Sequence, residues 1–198
     1  MNQHVNPWVQ DAARPPTSLA TAAPEHRLPL PSGVAGPLRG MIEPDAADRL
    51  ARRTLTGTAR LWITGVHGGA GETRLAELLD GARTTGHCWP APDEPEDTPR
   101  VLLVCRSDLR GLTAAQNALI EWVSGASPAV DLLGLAIMAD APGKLPKPLR
   151  DFAALVGGGS PRVWMLPWVD PWRLGTTPDG VPGLAYQRFI TDLAALTS

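Results

Sequence analysis

The segment LWITGVHGGAGETRLAELL, Leu61 to Leu79, limits the fold more than any other part of the chain. An apolar run of strand length runs into Gly65, Gly68, Gly69 and Gly71, and then into leucines at helical spacing. Glycines clustered this way mark a turn whose backbone needs conformations that other residues resist. Strand, glycine turn and helix start is the layout that receives phosphate, through backbone N–H groups and the positive end of a helix. The residue after the last glycine is nevertheless an acid, Glu72.

From Arg60 onward strands and helices alternate. RLWITG reads as a strand, and ETRLAELLDGAR as a helix with Leu75, Leu78, Leu79 and Ala82 on one face. RVLLVCR is an apolar run bounded by turn signals and reads as a strand buried on both faces. GLTAAQNALIEWVSG places Leu112, Ala115, Leu119, Trp122 and Val123 on one helical stripe. DLLGLAIMAD and PRVWMLP read as further strands, separated by the helix PLRDFAALVGGG with Leu149, Phe152 and Val156 inward. The chain closes on LAYQRFITDLAALTS, with Leu184, Phe189, Ile190, Leu193 and Leu196 available for packing. The expected fold is α/β: a small, mostly parallel sheet of about four to five strands flanked by helices. Ligands of such sheets bind at the carboxyl ends of the strands. Those ends are 65–71, 106–108, 139–144 and 167–172.

Residues 1–58 differ in kind. ARPPTSLATAAPEHRLPLPSGVAGPLRG is proline-rich and lacks any sustained period, so it buries too little apolar surface to offset its ordering entropy. A disordered or extended arm is expected over 1–58, with a short helix over 44–55 at EPDAADRLARRTL, and the α/β domain over 59–198. The formal charge of −2 gives no electrostatic case for nucleic acid or an anionic membrane. No apolar run is long enough to span a bilayer, and the first ten residues lack the apolar core of a signal peptide, so a cytoplasmic protein is expected. Cys88 and Cys105 sit in apolar settings and read as buried free thiols.

The run His67-Gly68-Gly69-Ala70-Gly71-Glu72-Thr73 resembles the pattern K-G-G-x-G-K-[ST] of the MinD/ParA family of deviant-Walker ATPases, a branch of the P-loop NTPases. The glycines and Thr73 match, while His67 and Glu72 replace both lysines. The resemblance continues in order over roughly 60–175. VLLVCRSDLRGLTAAQNALIEW is similar to the strand and helix after the family's Walker B region. DLLGLAIMADAP is similar to the strand ending at a base contact, with Asp140 where the family usually has Asn. VWMLPWVDPWRLG is similar to the last core strand, so Pro167, Trp168 and Asp170 fall beside the implied base pocket. The strands that carry the family's switch and Walker B aspartates are missing: only GHCWPAPDEPEDTP stands there, and Asp93, Glu94, Glu96 and Asp97 do not follow an apolar strand. The whole pattern is also similar to degenerate P-loop proteins of actinobacteria, some near conjugation-type secretion genes.

The resemblance implies ATP or GTP with Mg²⁺ as ligand, and the replaced lysine argues against it. At ~4 Å and an effective dielectric of ~20, one unit of charge against a phosphate charge is worth about 4 kcal/mol, and Lys to Glu shifts the site by two units. Phosphoryl transfer also needs a held metal and an oriented water. Thr73 offers a hydroxyl, but no acid partner is evident. Glu72 in the first helical turn instead complements the dipole by about 0.3–1 kcal/mol. The loop therefore reads as a retained scaffold with no catalytic residue and no cofactor. The alternative is a divergent nucleotide-binding switch, with His67 or Arg74 supplying positive charge.

Seven tryptophans are many for 198 residues. Trp164 falls on a strand and is expected inside, whereas Trp168 and Trp172 fall on a loop at the sheet's carboxyl end. They are expected to fill the vacated pocket, to anchor a partner or to stack on a bound base. Lys144 and Lys147 lie between a strand end and a helix start and read as solvated. His4, His26 and His87 lack metal-ligand spacing, and no metal site is expected. Ser107-Asp108 has no G-x-S-x-G context and no histidine placed to serve it. The expected function is a non-catalytic pseudo-ATPase that works as a protein-interaction module, with a homodimer left open, no nucleic-acid partner favoured and no membrane insertion expected.

Overall fold

The computed structural model describes residues 34–91, 98–178 and 180–198. The expected arm over 1–33, His4, His26 and the four acids from Asp93 to Asp97 lie outside the described residues. Strands β1 (Ala51–Thr54), β2 (Leu61–Gly65), β3 (Ala82–Thr84), β4 (Cys88–Ala91), β5 (Arg100–Arg106), β6 (Asp131–Met138) and β7 (Val163–Leu166) are joined by loops and helices. The helices are α1 (Glu72–Ala76), α2 (Leu109–Val123), α3 (Lys147–Gly157), α4 (Asp170–Arg173) and α5 (Gly183–Thr197). Five strands form one sheet in the order β3-β2-β5-β6-β7, and every neighbouring pair is parallel. The expected α/β fold with a parallel sheet and flanking helices is the fold observed.

The sheet is covered on both faces because its central strands alternate apolar side chains in both directions. In β5, Val101, Leu103 and Cys105 point into one layer with α2 and α3, where Leu112, Leu119, Trp122 and Val156 meet them. Leu102 and Val104 point into the other, with Leu75 of α1 and Tyr186, Phe189 and Leu193 of α5. Trp164 is buried as expected, and its indole N–H donates to Asp192 at 2.8 Å. Leu184, expected to pack, is 59% exposed, because α5 turns Tyr186 and Phe189 to the sheet instead.

After β2 the chain steps to β3 on one side through α1, and β5 then returns on the other side of β2. The carboxyl ends of β2 and β5 therefore flank the point where strand order reverses, which is where open α/β sheets form their crevice. The glycine loop, 65–71, and Arg106 stand on its two sides.

Two expectations about local structure are corrected. The helix expected over 44–55 is a single 3₁₀ turn, Ala46–Asp48, followed by strand β1, which pairs in parallel with β4. Cross-strand hydrogen bonding to 88–91 outweighs a weak local helix preference. Val34, Leu50 and Leu55 also pack on the α2 layer, so the described part of the expected arm is joined to the domain. The helix expected to run through Ala82 stops at Ala76, and Ala82 pairs with Leu61 in β3.

Cys88 and Cys105 are free and buried. Burial pushes the Cys105 thiol up to about 12 from an ordinary 9.0, with Asp108 adding to the rise, and burial also raises Cys88. A thiol held protonated in the fold but ionising near 9.0 when unfolded stabilises the fold below that pH and loses this contribution as pH rises toward 12. Iodoacetamide at mildly alkaline pH is therefore expected to leave both cysteines unmodified in native protein and to label both in guanidinium, read by intact mass. Labelling of native protein as fast as of unfolded protein would contradict this burial.

Candidate functional site

The loop from Gly65 to Gly71 is closed by its own acid. Glu72 is 7% exposed, and its Oε2 accepts the Gly65 N–H at 2.6 Å. Its Oε1 lies 3.6 Å from His87 Nδ1, and that same nitrogen is 3.2 Å from the Gly65 carbonyl. The carboxylate is thus folded under the loop, between β2 and the turn that follows β3. His87, given no role from sequence, is the neighbour of Glu72.

Gly71 stands at φ 104°, and a Cβ there would run into Met138 Sδ of β6. Both backbone and packing therefore require glycine at this position. The N–H groups of Gly68, Gly69 and Gly71 meet no acceptor among the described residues, while Ala70 N–H closes a turn onto His67 O at 3.2 Å. Thr73 is exposed.

His67 is bonded to the end of β5. Its Nε2 accepts the Arg106 N–H at 3.1 Å, and since an amide can only donate, Nδ1 carries the ring hydrogen, toward Gly68 O at 2.9 Å. Gly111, in the first turn of α2, makes room for this: a Cβ there would lie 2.9 Å from His67 Nε2. Arg74 pairs with Glu77 at 3.0 Å and reaches Thr177, so its charge is already offset.

The cation beside the loop is Arg106, at the carboxyl end of β5. Its Nε donates to Gly69 O at 3.1 Å and its Nη1 to Ala139 O at 3.0 Å, so the guanidinium bridges the glycine loop and the end of β6. Sequence reading placed Arg106 at a strand end and gave it no role. The available signal was an arginine ending an all-apolar strand in a chain with only two lysines, Lys144 and Lys147.

These groups line a cavity of about 610 Å³ at the carboxyl end of the sheet. Its far wall brings together Asp140, Pro167, Trp168 and Trp172, but not Asp170. Asp170 Oδ1 accepts the Trp168 indole N–H at 2.6 Å. Trp168 also faces the Arg173 guanidinium at 5.7 Å, and Trp172 meets Tyr186 edge-on at 5.3 Å. The tryptophans are half-buried and wall the cavity, so the expectation that they fill it is corrected. Burial raises the Tyr186 hydroxyl well above its ordinary 10.0, against a lowering by Arg106.

No group of three His, Cys, Asp or Glu side chains among the described residues is placed to hold a metal. Asp108 caps α2 by accepting the Gly111 N–H at 2.6 Å, and Ser107 Oγ accepts the Asp140 N–H at 3.1 Å. Both members of the Ser107-Asp108 pair are therefore engaged structurally. Lys147 pairs with Asp151 one turn along α3. No helix among the described residues is long and apolar enough to cross a membrane.

The chain matches the model of a family described as "Family of unknown function (DUF6668)" over residues 59–186. No curated protein and no solved structure matches it.

Proposed function

Since the chain belongs to the DUF6668 family, a family of unknown function, its role has to come from its own site, and we propose a non-catalytic pseudo-ATPase of the MinD/ParA kind that binds a protein partner. One observation carries this reading: the Glu72 carboxylate bonded to Gly65 N–H beneath the loop. A negative charge held there opposes a triphosphate, and it stabilises in cis a turn that a nucleotide would otherwise help to order. Phosphoryl transfer needs a metal held by a carboxylate and an oriented water. Here Asp108 is spent on a helix cap and Asp170 on Trp168, and among the described residues no group of three His, Cys, Asp or Glu side chains is placed to hold a metal.

The partner-binding half of the proposal rests on where apolar surface is exposed. Leu109, Leu174 and Leu184 are 64%, 78% and 59% exposed. Each lies in a segment that follows the carboxyl end of β5 or β7, the same end of the sheet as Trp168 and Trp172. Exposed apolar side chains gathered around aromatic anchors mark interaction surfaces.

A second reading, a divergent ATP or GTP switch, is favoured by the size of the cavity and by the three loop N–H groups without acceptors. Calorimetry separates the two. Mg-ATP, Mg-GTP and their diphosphates at millimolar concentration are expected to give no binding heat. Submillimolar affinity that disappears in Gly68→Phe would establish the switch instead. Gly68 suits this test because a Cβ there meets nothing within 4 Å, whereas substitution at Gly71 strikes Met138.

A further inference from the structure

We propose that the cavity beside the glycine loop takes a single organic carboxylate, seated on the Arg106 guanidinium with its apolar body against Trp168 and Trp172. This deepens the non-catalytic reading of the site and rests on it.

Arg106 is half-buried, and both of its recorded acceptors, Gly69 O and Ala139 O, are neutral carbonyls. Among the described residues no carboxylate pairs with it. The two bonds pin the guanidinium plane and leave Nη2 without an acceptor. That nitrogen lies 3.7 Å from the point a Gly71 Cβ would occupy, on the cavity wall. A partly desolvated cation with only neutral partners gains most from an anion, and a planar fork suits a carboxylate.

The surrounding charge sets the size of that anion. Four arginines line the cavity (Arg74, Arg106, Arg110 and Arg173) against three acids, Glu72, Asp108 and Asp140. With Arg74 offset by Glu77, the remaining three arginines and three acids cancel, so one carboxylate on Arg106 is accommodated where the several charges of a triphosphate are left uncompensated. Arg74 is already engaged by Glu77 and Arg173 lies over Trp168, which leaves Arg106 as the pinned donor. On the same cavity wall Trp168 and Trp172 are half-buried, backed by the buried Met138 and Tyr186, which gives an apolar seat for the rest of the ligand. The carboxylate could come from a free aryl acid or from a protein partner's chain end.

The test uses the full chain, with tryptophan fluorescence and thermal shift as readouts. The probes are phenylacetate, its neutral isostere phenylacetamide, and a short peptide ending in phenylalanine, with a free or an amidated C-terminus. The carboxylates are expected to saturate at millimolar concentration or below. The amides should bind at least about tenfold more weakly, a loss of about 1.4 kcal/mol. Arg106→Gln should remove the difference between acid and amide. A free-ended peptide binding tenfold tighter than phenylacetate supports a protein source, and equal affinities support a free acid. If acids and amides bind alike, or neither binds, the carboxylate site is refuted while the non-catalytic reading stands. Submillimolar Mg-ATP binding together with no preference for acid over amide would refute both. The acid-against-amide comparison in wild-type protein decides even if Arg106→Gln fails to fold.

Discussion

Glu72→Ala is expected to lower the unfolding free energy by about 2–3 kcal/mol, although it removes an acid from a loop whose architecture suits an anion. The reason is the bond from Gly65 N–H to Glu72 Oε2 at 2.6 Å, made at a buried glycine and by a side chain that is itself almost wholly buried. Alanine leaves that N–H unpaired, and a buried donor without an acceptor costs about 1–3 kcal/mol. The loss of a carboxylate from the first turn of α1 adds about 0.3–1 kcal/mol. Glu72→Gln keeps an oxygen for Gly65 and should recover most of the loss. Glu72→Lys should be the least stable of the three, because it sets an ammonium against an N–H donor and beside His87, 3.6 Å from the present carboxylate. The same lysine variant should gain affinity for inorganic phosphate. Urea midpoints at constant slope give the ranking. A neutral Glu72→Ala would mean that the carboxylate does not hold the loop, and the proposed reason for its retention would fall with it.

What the sequence made legible follows from how local each signal is. RVLLVCR reads as a doubly buried strand because an apolar run of that length between turn residues has few other solutions, and β5 has Leu102 and Val104 on one face and Leu103 and Cys105 on the other. The stripe Leu112, Ala115, Leu119 and Trp122 reads as a helix face because four residues at matching spacing are hard to place otherwise, and all four are buried in α2. The first helix misleads for the same reason. Leu75, Leu78 and Leu79 keep helical spacing, yet Leu78 and Leu79 N–H bond three residues back, to Leu75 O and Ala76 O, and the turn tightens. Gly81, at φ 73°, then releases the chain to pair with β2, and a sheet edge outweighs one more turn of helix.

The site was legible as a place and not as a set of roles. The strand ends 65–71, 106–108, 139–144 and 167–172 do converge on one cavity, since topology alone puts them at one end of the sheet. Which side chain supplies the cation depends on distances between residues far apart in sequence: Arg106 meets Gly69 37 positions before it and Ala139 33 positions after it. Likewise nothing near His87 announces Glu72. The spacing of the loop drew attention to His67 and Arg74, and the structure engages both in bonds within the protein.

The second large effect is expected at Glu121, which no motif singles out. It is 0% exposed in the middle of an apolar helix face, and its Oε2 accepts both the Trp89 indole N–H at 2.9 Å and the Leu50 N–H at 3.1 Å. One carboxylate thus ties α2 to β4 and to the chain entering β1. Arg52 adds a bond to Ala126 O just beyond α2. Glu121→Ala strands two donors in the core and opens a void beside Trp89, for a loss of about 3–5 kcal/mol. Because Oε1 has no hydrogen-bond partner among the described residues, Glu121→Gln should fare much better: its amide oxygen serves Trp89 and Leu50, although its NH₂ gains no acceptor among them. The loss should also be local before it is global. Hydrogen exchange in Glu121→Ala should rise first at 50–54 and 88–91 and leave β5 and β6 protected, since those strands are held by the rest of the sheet. Uniform loss of protection would show that β1 and β4 form one cooperative unit with the sheet. Unchanged exchange at 50–54 would show that the carboxylate does not anchor them.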